Sequence, residues 1–102
     1  MIIYNVTIKI EPEIEKEWYK WMTEAHIPDV MKTGMFINSK ISILFNDEKD
    51  GITYSIQYLC NCIEDYEIYQ KKYAPSLQQD HNSRFKGKFT AFRTLMEVKV
   101  EF

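Results

Sequence analysis

The chain has 102 residues, enough for one domain spanning 1–102 and one core. Hydrophobic residues make up 45%, aromatic residues 15% and well-mixed charged residues 27%, which excludes a disordered polar chain. A formal net charge of −2 argues against a nucleic-acid binder, and no apolar run is long enough to span a bilayer.

Met1-Ile2-Ile3-Tyr4-Asn5 carries no basic region and no cleavage site, so a signal peptide is not expected and a cytoplasmic location is. Cys60 and Cys62 stand two apart, a spacing that makes a strained bridge at best on a strand, so two reduced thiols are expected. No further Cys or His pair has zinc-ligand spacing, and no phosphate-cradling glycine loop or nucleophile elbow occurs. The sequence therefore implies no metal and no cofactor.

The first element is a strand from Ile2 to Ile10, where Ile2, Tyr4, Val6, Ile8 and Ile10 alternate with Ile3, Asn5, Thr7 and Lys9. Glu11-Pro12 opens a helix, because proline suits a first helical turn. Ile14, Trp18, Trp21, Met22 and Ala25 fall on one stripe at helical spacing. Pro28 is expected to stop this helix near Ala25 or His26. A short helix follows from Asp29 to Lys32, with Gly34 as its left-handed cap.

Two strands come next, 35–45 and 52–60, joined by the polar hairpin loop Asn46-Asp47-Glu48-Lys49-Asp50-Gly51. Asn61 is placed to cap the helix after them, which carries Ile63, Tyr66, Tyr69, Tyr73 and Leu77 on one stripe and is kinked by Pro75. A second short helix is expected from Ser76 to about Ser83, and a last strand from Lys88 to Phe102 that includes Phe92 and Met96.

The order strand, helix, strand, strand, helix, strand is the α+β ferredoxin-like βαββαβ pattern, a four-stranded antiparallel sheet with both helices on one face. The other face is expected to carry Asn5, Thr7, Asn38, Lys40, Ser42, Ser55, Gln57 and Arg93 together with Ile3, Phe36, Leu44, Leu59, Phe89 and Leu95. That mixture is too apolar for full exposure and too polar for a core. A homodimer packed sheet to sheet, with polar residues lining a shared cavity, is the expected resolution, and a monomer with a hydrated sheet face is the alternative.

Several stretches carry a family resemblance. Met1 through Thr7, Trp18 through Met22, and His26-Ile27-Pro28-Asp29-Val30-Met31 with Gly34 form one part of it. Tyr69-Gln70, Tyr73-Ala74-Pro75-Ser76-Leu77, Asp80-His81, Arg84-Phe85 and Phe89 through Thr94 form the other. Together they resemble an uncharacterised bacterial family, the domain-of-unknown-function family numbered 4286. The resemblance implies a small cytoplasmic protein similar to the dimeric α/β-barrel superfamily. That superfamily includes cofactor-free monooxygenases, small isomerases, haem enzymes and ligand-binding domains, so it implies no one reaction.

His26 is the leading candidate for a catalytic group, since imidazole titrates near neutrality. A helix C-terminus would favour its charged form, and Asp29 stands three residues on, in position to orient the ring. The structural alternative makes His26 a cap of helix-end carbonyls. His81, between Asp80 and Arg84, reads mainly as part of a solvated helix with local ion pairs.

Arg93 reads as an intersubunit ion-pair partner or as an anchor for an acidic ligand. Two functions follow from these residues. One is a homodimeric binding or sensing module for a small acidic or aromatic molecule, with Arg93, Asn5 and Gln57 as polar contacts and Trp21 as an apolar wall. The other is a cofactor-independent enzyme, monooxygenase- or isomerase-like, with His26 as base and Asp29 orienting it. A purely structural interaction domain is the third reading. No nucleic-acid or membrane partner is expected.

Overall fold

The computed structural model describes residues 1–45 and 50–102. The hairpin loop expected over Asn46–Gly51 therefore lies mostly outside the described residues. Strand β1 runs Ile2–Ile10, β2 Asn38–Ile43, β3 Ile52–Cys60 and β4 Phe89–Glu97. They form one antiparallel sheet in the order β2-β3-β1-β4.

The first helical segment is one continuous run of four pieces. A 3-10 turn at Pro12–Ile14 leads into α1 (Glu15–Trp21), a π-helical turn at Met22–His26, and α2 (Ile27–Lys32). Pro28 does not stop the helix, as the sequence suggested. Its missing N–H falls just after the widened turn, where Ile27 N–H reaches back to the Met22 carbonyl and the backbone stays right-handed helical. Widened turns of this kind absorb a proline without breaking the helix. Gly34 does end the segment, at φ 79°. Helix α3 spans Ile63–Lys72 and α4 Ala74–Arg84, with Pro75 in the first turn of α4. Cys62, not Asn61, occupies the position before α3.

The core lies between the helices and one face of the sheet. Tyr4, Val6, Ile8 and Ile10 of β1 and Tyr54, Ile56, Tyr58 and Cys60 of β3 point into it, and Trp18, Met22, Val30 and Tyr69 meet them from the helices. Full burial of each large apolar side chain is worth about 1.5–3 kcal/mol. Tyr4 lies among the rings of Phe36, Tyr58, Tyr66 and Tyr69, at centroid separations of 5.2–6.2 Å.

The pairing of β4 with β1 reverses the expected faces of β4. Arg93 lies opposite Val6, Ala91 opposite Ile8 and Phe89 opposite Ile10, so all three face the helices. Leu95, opposite Tyr4, shares their side. Phe92 lies opposite Thr7 and Met96 opposite Ile3, which puts both on the open face. Phe36 is also corrected: it precedes β2 and turns into the core. The open face keeps Ile3, Asn5, Thr7, Lys40, Ser55, Gln57 and Leu59 as expected and gains Phe92, which is 63% exposed. Residues 98–102 continue past β4 outside any strand, tied at their start by Val98 N–H to the Met1 carbonyl at 2.9 Å.

Candidate functional site

Two helical elements and the edge strand bring a polar group of side chains into an otherwise apolar wedge. His26 ends the widened turn of the first helical segment, His81 lies on α4, and Arg93 reaches in from β4. They line a cavity of about 30 Å³ between helices and sheet, together with Tyr4, Tyr58, Tyr69, Gln78 and Asn82. A cavity of this measure holds roughly two water-sized groups. Of its lining residues Asn82 of α4 and Arg93 of β4 are exposed and Gln78 and Ala91 half-buried, which puts its mouth between α4 and β4.

His81 is not on a solvated surface; it is 5% exposed. Its Nε2 accepts the indole N–H of Trp18 at 2.9 Å. An indole nitrogen can only donate, so Nε2 carries a lone pair and the ring proton sits on Nδ1, facing Asn82 Oδ1 at 3.3 Å. Charging the ring would set two N–H donors against each other. Burial accordingly lowers the pKa of His81; the Asn82 contact opposes this, and the Arg93 charge adds to it.

His26 lies 5.8 Å from His81, centroid to centroid, and stacks on Trp21 at 5.1 Å with 28° between the ring planes. Among the described residues, no side-chain hydrogen bond engages its ring. Burial, then the neighbouring His81, push its pKa down to about 4. The expectation that a helix terminus would favour the charged form is overturned, because the helix does not end there. Asp29 does not orient the ring either. It sits on the exposed side of α2, 3.9 Å from Lys32, and acts on His26 only through its charge, the smallest of four influences on the ring.

Arg93 donates from Nε to the Tyr4 hydroxyl at 3.0 Å. Among the described residues no aspartate or glutamate lines the cavity and no carboxylate pairs with Arg93. Glu97, further along the same strand, is paired with Lys99 at 3.4 Å. Arg84 is a surface group, 3.5 Å from Asp80 and 5.0 Å from the Trp21 ring.

The other expected ligand contacts lie on the far side of the sheet. Asn5 is 9% exposed and engaged within the strands: its Nδ2 donates to Thr7 Oγ1 at 3.0 Å, and its Oδ1 accepts from Ser55 Oγ at 2.6 Å. Gln57 lines a hollow of about 420 Å³ with Ile3, Lys40, Leu59 and Val100. The six sequence candidates thus divide. His26, Trp21 and Arg93 gather on the helix side, Asn5 and Gln57 lie on the open side, and Asp29 is peripheral. Sequence reasoning missed the burial of His81 and the places of Tyr4, Gln78 and Asn82. The spacing Ala74, Leu77, His81, Phe85 is an apolar stripe with His81 inside it, a signal that was available.

No group of three or more His, Cys, Asp or Glu suited to a metal ion occurs among the described residues. Cys60 and Cys62 are both free. Among the described residues no helix is long and apolar enough to cross a membrane.

The match that places the chain covers residues 1–99, against the model of Domain of unknown function (DUF4286). The chain belongs to this family. No curated protein matches the chain. Among solved structures, it resembles a dimeric ferredoxin-like protein from an uncultured marine organism (TM-score 0.70, 19% identity, 100% of this chain and 98% of that one). It also resembles an ethyl tert-butyl ether D (EthD) family protein from Bacillus halodurans (TM-score 0.66, 14% identity, 96% and 99% covered). A third similar structure is a variant of SnoaB, a cofactor-independent oxygenase from Streptomyces nogalater (TM-score 0.66, 8% identity, 98% and 95% covered). At these identities the likeness shows the fold, which is ferredoxin-like.

Proposed function

We propose that this DUF4286 domain is a cytoplasmic homodimer that binds a small molecule in the cavity between its helices and sheet. The observation that carries the reading is the meeting of His26, His81 and Arg93 in an aromatic wedge. Two neutral imidazoles in a wedge this apolar, with the Arg93 guanidinium at its exposed edge, carry a desolvation cost that packing alone does not require. Convergent polar groups in an apolar pocket are the usual form of a binding site. Dimerisation is supported by the apolar residues Ile3, Leu59, Phe92 and Met96 on the open face, and by the dimeric state of the marine ferredoxin-like neighbour. Asn5 and Gln57 then belong to that interface and not to the ligand site.

Native mass spectrometry of freshly purified protein tests both parts. A mass of two chains plus a retained small molecule, lost in a His26→Ala, His81→Ala double variant that still dimerises, is the expected result. Monomers at micromolar concentration would remove the dimer. A ligand retained equally by the double variant would remove this site.

One observation favours a catalytic version. His26 is uncharged at neutral pH and, among the described residues, has no side-chain hydrogen-bond partner, so its ring nitrogen is available to accept a proton from a bound molecule. SnoaB, on the same fold, is a cofactor-independent oxygenase. In this version His26 acts as base, with the Trp21 ring and not Asp29 orienting it. Solvent-deuterium exchange into a bound ligand, lost in His26→Gln, would support it.

A further inference from the structure

We propose that the ligand of this cavity is a small aromatic acid whose carboxylate is held by Arg93 and the hydroxyl of Tyr4. The proposal rests on the cavity being the binding site and adds the class of molecule that it takes. Arg93 uses Nε on the Tyr4 oxygen. That leaves the two terminal guanidinium nitrogens, a planar fork that matches a carboxylate. Because the Tyr4 oxygen is the acceptor in that bond, its own O–H is directed elsewhere and is a second donor beside the fork.

The charge of the site has one sign. Among the described residues Arg93 is the one formally charged group lining the cavity, and no acid lines it. Asp80, the nearest acid on α4, is turned to Arg84 on the surface. A guanidinium at the exposed edge of an apolar wedge, with no acid beside it, favours an anion over a neutral guest through charge-assisted hydrogen bonds.

Size and shape narrow the class. The 30 Å³ cavity takes about two oxygen-sized groups, which is a carboxylate and no more. The body of the ligand must then lie in the mouth between α4 and β4. Ala91 carries only a methyl group there, and Leu95, beyond Arg93 on the same strand face and 43% exposed, offers apolar surface. The ring of an aryl acid suits that slot, with Gln78 and Asn82 at its polar rim.

Benzoate and its neutral isostere benzamide test the idea on the intact protein, followed by the imidazole NMR signals of His26 and His81. Benzoate is expected to shift both sets saturably and to bind at least about tenfold more tightly than benzamide, the size of one charge-assisted hydrogen bond. Arg93→Gln should abolish that preference by weakening benzoate alone, Arg93→Lys should keep part of it, and Tyr4→Phe should reduce it less than Arg93→Gln. Arg93 is exposed on an edge strand, so both Arg93 variants should melt close to the wild type. Equal affinity for the two probes, both shifting the histidines, would overturn the acid and leave the cavity reading standing. Benzoate binding that leaves both histidines unmoved, or no benzoate binding at millimolar concentration, would also overturn it; the retained-ligand experiment judges the cavity separately.

Discussion

The indole N–H of Trp18 and Nε2 of His81 meet at 2.9 Å across a buried contact between residues 63 apart in sequence. The bond fixes the tautomer of His81 and holds the ring neutral. Trp18→Phe removes the donor and leaves Nε2 unpaired in the core. The expected cost is about 2–3 kcal/mol, from the lost bond and the smaller ring together. A structural role alone would stop at that cost. Loss of the donor also predicts a rise of the His81 pKa toward 6.5, read from its NMR titration. An unchanged titration would show that Trp18 does not control the protonation of this ring.

His26 makes a second prediction about pH. Its pKa is about 4 in the fold against 6.5 for the unfolded group. The unfolded chain therefore binds a proton between these values that the native state refuses. Stability is complete above about pH 6.5, falls as the pH drops through that window, and levels off near pH 4. The shift corresponds to roughly 3 kcal/mol. His26→Gln should flatten this limb of a plot of unfolding free energy against pH. Parallel limbs for the variant and the wild type would show that some other group carries the acid sensitivity.

Much of this arrangement was legible in the sequence, for physical reasons that differ from residue to residue. Strand β3 was readable to its ends because Tyr54, Ile56 and Tyr58 alternate cleanly with Ser55, Gln57 and Leu59. Strand β4 was not. Phe89, Ala91 and Leu95 on one parity are as apolar as Phe92 and Met96 on the other, so only pairing with β1 decides which side Arg93 faces. Pro28 misled because a steric rule for regular helices does not foresee a widened turn. His81 misled because Asp80 and Arg84 around it form a surface pair, while the ring itself points inward to Trp18.

Gly34 was legible as a left-handed cap and provides a clean test of conformational strain. It has φ 79°, and a Cβ built on it would meet no atom within 4 Å. Gly34→Ala therefore adds backbone strain with no clash, an expected loss of about 1–2 kcal/mol. Gly34→Asn should cost less, since asparagine tolerates this region better. Thermal melts of the two variants check the order. Equal stabilities for glycine, asparagine and alanine would mean that the turn after α2 relaxes to another conformation.

Phe92 offers the sharpest test of the dimer. It is 63% exposed on β4, opposite Thr7, on the face that no helix covers. An aromatic side chain left in water on a sheet face with Ile3, Leu59 and Met96 gains most from a second copy. Phe92→Asp should leave the melting temperature of the monomer within the small range of surface substitutions, because little of the ring is buried in one chain. It should weaken self-association at least about tenfold, since a carboxylate would have to be desolvated against apolar neighbours. Sedimentation velocity over a concentration series measures this directly. An unchanged association constant would put the contact between copies on another surface, and a wild type that sediments as a monomer throughout would leave the open face to water.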